Sequence, residues 1–477
     1  MSQPGSVRER RARRAERTPW SVPTRWIATA ALVLAACRLA GLGRYGLWID
    51  EAFTLHDAQA LEFERLTKFP LGLALMKLWI ALVGLPIGEA ALRFPAATFG
   101  ALSIPLTAWA FRPLIGARQA WIAALVLACS SFHMYWSQSA RAYTLMLVLS
   151  LAGAGWALRG CVQARPALYF AGLLVGSFAA AAHPTGALVP AALLLAPPLA
   201  RAAGAPLAWA PRPWIVLAAA AVGALAVFPW LRGVWRDYSL RKSGSSALHF
   251  ALTTGFYVTA PVALACVVTA WSVVRNRARP QTLVVLVVTL VLLVTLAASQ
   301  VVRATAQYIF VLAPWFAAAA AWALDDQVAP RKLARALGVV TLAWACFDLG
   351  AYTTVRHGDR PRWRDAYRYV ARSRGAEDLV FGMAAPAGAY YLAPLEEHLR
   401  ASTALLPLTP YSWDDLRYWI AQDRRMWLVL NREDLEGWPE AERRRFERFL
   451  REQCELRRTF EVGGTPRSLD VEVHFRN

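Results

Sequence analysis

Apolar residues come in long blocks along most of this chain, without the one-faced or alternating spacing of a water-soluble domain. Runs near the length that crosses hydrocarbon as a helix, about 20 residues, lie around 26–43, 70–87, 93–111, 120–136, 143–158, 167–182, 184–200, 214–231, 252–274, 281–301, 307–324 and 335–353. Past 355 the pattern changes. Helical spacing recurs at 364–374, 413–422 and 440–453, and short β-branched or aromatic runs at 379–382, 426–430, 456–462 and 469–475 predict strands. The expected architecture is a polytopic α-helical membrane body over 26–355 and an α/β domain over 356–477, behind a short N-terminal segment, 1–25.

Charge decides which runs span. The first 25 residues hold seven arginines against two glutamates, which predicts a cytoplasmic N-terminus. Further basic clusters stand at Arg112/Arg118, Arg159/Arg165, Arg201/Arg212, Arg275/Arg277/Arg279 and Arg331/Lys332/Arg335. All five share the cytoplasmic side only if the 70–87 run does not cross. That run contains Lys77 and is bracketed by Pro70 and Pro86, so it reads as a helix lying on the interface. Eleven spans follow, with outside loops at 44–92, 134–142, 183–184, 232–251 and 302–306, and with the tail outside. No A-x-A-like cleavage site precedes the first run, so a retained first span is expected.

Composition narrows the classes. With 57% hydrophobic and 18% charged residues, the chain lacks the surface charge of soluble domains and the polarity of a disordered one. The formal charge of +20 would suit a polyanion-binding protein, but it is scattered among apolar runs and forms no basic groove. Five of the six cysteines sit in apolar runs, which gives neither a disulfide framework nor zinc spacing. Six of the ten acidic residues between 26 and 355 (Asp50, Glu51, Asp57, Glu62, Glu64 and Glu89) gather in the first outside loop.

Candidate chemistry therefore starts at Tyr45-Gly46-Leu47-Trp48-Ile49-Asp50-Glu51-Ala52. Adjacent carboxylates in a partly dry, aromatic setting can separate their pKa values and leave one as a general base or metal ligand. The same pair would equally suit a helix start, with Asp50 as N-cap.

The order of three motifs carries a resemblance. Trp48-Ile49-Asp50-Glu51-Ala52, then Leu92-Arg93-Phe94-Pro95-Ala96 with Gly100 following, then Tyr135-Trp136-Ser137-Gln138-Ser139-Ala140-Arg141-Ala142-Tyr143 resembles membrane glycosyltransferases of the GT-C class. The likeness is to the protein O-mannosyltransferases, the lipid A aminoarabinose transferases and bacterial galacturonosyltransferases, and it covers roughly 25–325. It implies a GT-C-like fold in a bacterial inner membrane, and transfer of a sugar from a polyprenyl-phosphate donor to a lipid, polysaccharide or protein acceptor on the periplasmic face. It also implies that Asp50 acts at the active site with Glu51 beside it.

Such a displacement needs a base for the acceptor, cations for the departing phosphate and a groove for the lipid tail. Outward-facing cations that run against the positive-inside bias supply candidates: Arg93, Arg141, Arg303, and Arg236, Arg241 and Lys242 in the basic loop 232–251. Each has a plainer use, as a partner for a loop carboxylate or a lipid headgroup. Tyr143 and Tyr308 accompany them. The family commonly has an arginine directly before a tyrosine where this chain has Gln307-Tyr308. Relatives also carry a His-Pro-Pro-like motif where this chain has Phe69-Pro70-Leu71-Gly72, and His183 resembles a histidine of some relatives. The residues identify no cofactor. A divalent metal is allowed for, with Asp50 and Glu51 as its oxygen ligands and His56 and Asp57 nearby. Two competing readings are a transporter or flippase of polyprenyl-linked substrates and a catalytically degenerate binding protein.

Overall fold

The computed structural model describes residues 22–60, 69–239, 246–275, 279–302, 304–325, 328–399, 405–465 and 468–477. The body is helical: α1 Thr24–Ala36, α2 Ile49–Ala60, α3 Pro70–Val83, α4 Glu89–Ala128, α5 Ser131–Ser137, α6 Tyr143–Val162, α7 Pro166–Ala182, α8 Leu188–Ala202, α9 Pro213–Ser239, α10 Ala247–Val258, α11 Ala260–Arg275, α12 Thr282–Ala298, α13 Ala313–Ala323 and α14 Arg331–Thr354. The tail follows as α15 Trp363–Ser373, β1 Leu379–Gly382, α16 Ala385–Leu399, β2 Leu405–Pro407, α17 Trp413–Ala421, β3 Met426–Asn431, α18 Arg432–Glu436, α19 Glu440–Gln453, β4 Glu455–Phe460 and β5 Val471–Arg476.

Among the described residues, five helical stretches are long and apolar enough to cross a membrane: Glu89–Ala128, Tyr143–Val162, Pro184–Ala202, Ala306–Ala323 and Arg331–Thr354. A sixth counts if α10 and α11, bent by 98°, form one broken span. The bend falls at Thr259, with φ +66°. Helix α4 is likewise two helices merged across Gly116, at φ 80° and ψ 166°, a backbone conformation that glycine alone reaches cheaply. The expected run 120–136 is interrupted at Cys129 and Ser130 before α5 begins, with the Ser130 hydroxyl accepting the His133 N–H at the new N-terminus. Where a loop was expected from 232, α9 continues to Ser239.

Helix α3 fills the 70–87 run in part. Its fourteen residues span about 21 Å, short of the roughly 30 Å hydrocarbon core. Proline stands in its first turn, where the missing N–H costs nothing. Leu73, Met76 and Ile80 make a buried stripe, and Leu71, Leu78 and Leu82 stay exposed.

The tail sheet runs β2-β1-β3-β5-β4, parallel across β2, β1 and β3 and antiparallel across β3, β5 and β4. Period-two alternation sends Leu379, Phe381, Met426 and Leu428 into one core with α17 and α19. The other face, through Val380 and Val429, joins Trp363, Tyr367 and Val370 of α15 to Leu47, Ala52, Leu55, Met76 and Leu92 of the body. Tail and first loop thus share one apolar core.

Candidate active site

The acidic pair opens α2, and its two members face different surroundings. Glu51 is fully buried. It reaches back to the Trp48 N–H (3.2 Å), as the third residue of a helix does in a capping box. Arg93 grips it bidentately, Nε to Oε1 and Nη2 to Oε2, both at 2.7 Å. The Ala140 N–H donates to Oε1 at 2.7 Å, and Arg360 Nε stands 3.8 Å from Oε2. Burial alone would push this carboxyl up, but the Arg93 guanidinium, Arg360 and the Ala140 N–H together hold it below the usual carboxylate range.

These contacts place Glu51 and Arg93 differently from the sequence expectation. Both Glu51 oxygens are committed, so neither a proton-transfer role nor a metal-ligand role has a free oxygen to use. Arg93 is buried as well, and its remaining N–H groups go to the carbonyls of Leu42 (2.7 Å), Tyr45 (2.7 Å) and Gly46 (2.8 Å). All five guanidinium donors are spent inside the fold, which leaves none for a lipid phosphate. Glu89, the other carboxylate near Arg93 in sequence, pairs instead with Arg364 of the tail at 2.7 Å.

Asp50 is half-buried, and its carboxylate has no hydrogen-bond or ion-pair partner among the described residues. Its own carbonyl accepts from Thr54 Oγ1 (2.9 Å) and Arg141 Nη1 (3.3 Å). Four residues apart on α2, Asp50 and Thr54 share a helix face. Thr54 lines a narrow cleft together with Phe69, Arg141, Tyr143 and His183.

Arg141 donates to Thr54 Oγ1 at 2.9 Å and lies 5.5 Å over the Phe69 ring. Phe69 stacks on His183, with centroids 5.3 Å apart, so the residue standing in place of the His-Pro-Pro histidine packs against an imidazole from another turn. His183 Nδ1 accepts the Thr185 N–H at 3.3 Å, and the neutral ring then carries its proton on Nε2. Tyr143 packs between His183 (4.4 Å) and Trp136 (3.9 Å), and Tyr308 lies 6.5 Å from His183. The structure therefore brings together Arg141, Tyr143 and His183, with Tyr308 beside His183 and the backbone carbonyl of Asp50 against Arg141.

Arg303, Arg241 and Lys242 fall outside the described residues; Arg236 lies on α9. His56 pairs with Asp57 at 3.4 Å on the exposed side of α2. No group of three His, Cys, Asp or Glu suited to a metal occurs among the described residues. Arg360 went unnoticed in the sequence, where it is one of many basic residues in a charge-balanced tail.

No family model and no curated protein sequence matches the chain. Solved structures do. ArnT from Cupriavidus metallidurans bound to undecaprenyl phosphate aligns over 95% of this chain and 98% of its own, at TM-score 0.56 and 15% identity. Its apo state aligns at TM-score 0.57 and 16% identity over the same shares. The oligosaccharyltransferase AglB from Archaeoglobus fulgidus, in complex with an inhibitory peptide and a dolichol-phosphate, gives TM-score 0.41 at 12% identity over 85% of this chain and 69% of its own, too loose to carry weight. The chain thus has the fold of the ArnT structures from end to end, and the GT-C resemblance read from three motifs is borne out at the level of fold.

Proposed function

We propose that this protein transfers a sugar from a polyprenyl-phosphate carrier to an acceptor at the outer face of a bacterial inner membrane. The observation that carries the reading is Asp50, a carboxylate without a partner among the described residues, on the helix face whose next turn lines a cleft with Arg141 and His183. The ArnT fold, seen in a protein crystallised with undecaprenyl phosphate, supplies the substrate class.

In this mechanism Asp50 takes the proton from the acceptor hydroxyl or amine as its oxygen or nitrogen attacks the anomeric carbon. The bond from that carbon to the phosphate oxygen breaks in the same displacement, which inverts the configuration. The negative charge arriving on the polyprenyl phosphate is met by Arg141 and by the Nε2–H of His183, placed before the reaction begins. Tyr143 and Phe69 wall the cleft and keep water from the sugar. Arg236, on α9, and Arg241, Lys242 and Arg303 are further candidate cations for the phosphate. Glu51 and Arg93 hold the base in place and take no part in proton transfer. The proposed topology has eleven spans, a cytoplasmic N-terminus and the α/β tail outside.

The test uses full-length protein in proteoliposomes with a panel of undecaprenyl-phosphate hexoses, pentoses and uronic acids labelled in the sugar, and a membrane lipid extract as acceptor. The reading expects one donor to lose label to the acceptor while free undecaprenyl phosphate accumulates. Movement of intact donor between leaflets with no transfer, across the whole panel, would instead mark a flippase.

A further inference from the structure

Arg360 belongs to the tail, yet it is fully buried and reaches the two segments that carry Asp50 and Arg141. The chain brings it there through three successive left-handed residues, His357 (φ 49°), Gly358 (φ 66°) and Asp359 (φ 53°). Such a conformation is costly for histidine and aspartate and persists where the surroundings over-determine it. At Gly358 a Cβ would lie 2.6 Å from the Tyr45 ring, so the turn is pressed against the loop that leads to Asp50. The His357 ring packs on the same tyrosine at 5.0 Å.

From this turn the guanidinium spreads over two segments. Nε faces Glu51 Oε2 at 3.8 Å. Nη2 donates to the carbonyls of Gln138 (2.9 Å) and Tyr135 (3.2 Å) and to Ser139 Oγ (2.8 Å), and Nη1 to Gly358 O (2.9 Å) and the Tyr352 hydroxyl (3.3 Å). Glu51 directly follows Asp50, and the 135–139 segment runs directly into Ala140 and Arg141. The fork therefore adds a tail-borne link to the direct ones between these segments, the Ala140 N–H on Glu51 and Arg141 on the Asp50 carbonyl and Thr54 Oγ1.

Docking of the tail does not depend on this fork. Arg364 pairs with Glu89 (2.7 Å), the Tyr391 hydroxyl donates to Glu89 (2.6 Å), the Tyr390 hydroxyl donates to Ile87 O (3.0 Å), and a shared apolar core backs them. None of these polar contacts touches Glu51 or the 135–141 segment. We infer that Arg360 is a positioning residue for the transfer reaction: through it the α/β tail reinforces the alignment of Asp50 with Arg141, and works as part of the frame behind the active site instead of a separate module.

Two arms test this, both on full-length protein in nanodiscs, with Arg360→Gln, Arg360→Lys and the docking control Arg364→Gln. The kinetic arm rests on the transfer reading. A misplacement of the base near 1 Å costs on the order of 100-fold in turnover, so Arg360→Gln should lower kcat by about that factor. Affinity for undecaprenyl phosphate should stay within roughly twofold, since no phosphate-binding cation has been removed. Arg360→Lys keeps the charge but loses the fork and should recover only part of the rate. Affinity falling in step with kcat, with Lys no better than Gln, would reduce Arg360 to a fold staple and overturn the inference.

The second arm needs no donor. Hydrogen exchange of peptides covering 48–54 and 138–143 should quicken in Arg360→Gln and stay unchanged in Arg364→Gln. Unaltered exchange in Arg360→Gln overturns the positioning role. Altered exchange, in a protein that transfers no sugar from any donor, upholds the coupling of the tail to these two segments but overturns the transfer reading and, with it, the role of Arg360 in transfer.

Discussion

Replacing Glu51 by glutamine removes the charge at the centre of the first loop while leaving its volume almost unchanged. Wild-type Glu51 is fully buried between Arg93, itself 1% exposed, and Arg360, also fully buried. It accepts two Arg93 hydrogen bonds and one from the Ala140 N–H, all at 2.7 Å. Glutamine keeps one acceptor oxygen and turns an NH₂ toward donors that already point inward. Two buried cations, Arg93 and Arg360, then lose the carboxylate they share. Removing one partner of a buried pair costs about 3–5 kcal/mol, and the loss here should lie in that range. Unfolding in mixed micelles titrated with SDS, followed by tryptophan fluorescence, measures it. Glu440→Gln, at an exposed pair with Arg444, serves as the surface control and should change stability by less than about 0.5 kcal/mol. The pH dependence has a definite sign. The folded Glu51 pKa lies below its unfolded value, so its stabilisation is complete above the unfolded carboxylate pKa, near 4.3, and is lost as pH falls through the folded pKa. Glu51→Gln should therefore lose stability at neutral pH and show a shallower acid limb than wild type. A loss under about 1 kcal/mol, the worth of an exposed pair, would refute the assignment of Glu51 as the buried hub.

Three further substitutions separate the cleft from its frame. Arg141→Gln should weaken undecaprenyl phosphate binding by about 10- to 100-fold, the value of one charge-assisted contact, with melting nearly unchanged; tryptophan quenching on titration reads it. Gly358→Ala meets both a φ of 66° and the Tyr45 ring 2.6 Å away, and should lower stability by about 1–3 kcal/mol in the same SDS titration. Gly100→Ala would drive a Cβ into the Ser137 side chain, forcing α4 from α5. It should cost about 1–3 kcal/mol and quicken exchange in the 135–143 segment.

Much of the helical body was visible in the sequence, because apolar runs and basic clusters record membrane contact directly. The break at Gly116 falls in the expected connection between the 93–111 and 120–136 runs; those at Ser130 and Thr259 were not legible, since uniform apolar composition carries no mark of where a backbone bends. The tail's alternating patterns predicted β1, β3 and α19 closely. Helix α16 escaped notice because Ala-Pro-Ala-Gly and a second proline read as loop. The motif around Asp50 located the cleft, but sequence cannot divide two adjacent acids between a buried ion pair and a free carboxylate. That division depends on Arg93, Ala140 and Arg360 converging from three distant segments. Arg93 looked like a phosphate ligand for the same reason: an outward cation in a membrane protein needs an anion, and the anion proved to be Glu51.

The central claim is that Asp50 is the base of a polyprenyl-phosphate-dependent transfer, and Asp50→Asn tests it most directly. A general base contributes about 10²- to 10⁴-fold, so turnover of the active donor should fall by that factor while undecaprenyl phosphate affinity and the SDS unfolding midpoint hold. Transfer by Asp50→Asn at the wild-type rate would contradict the account.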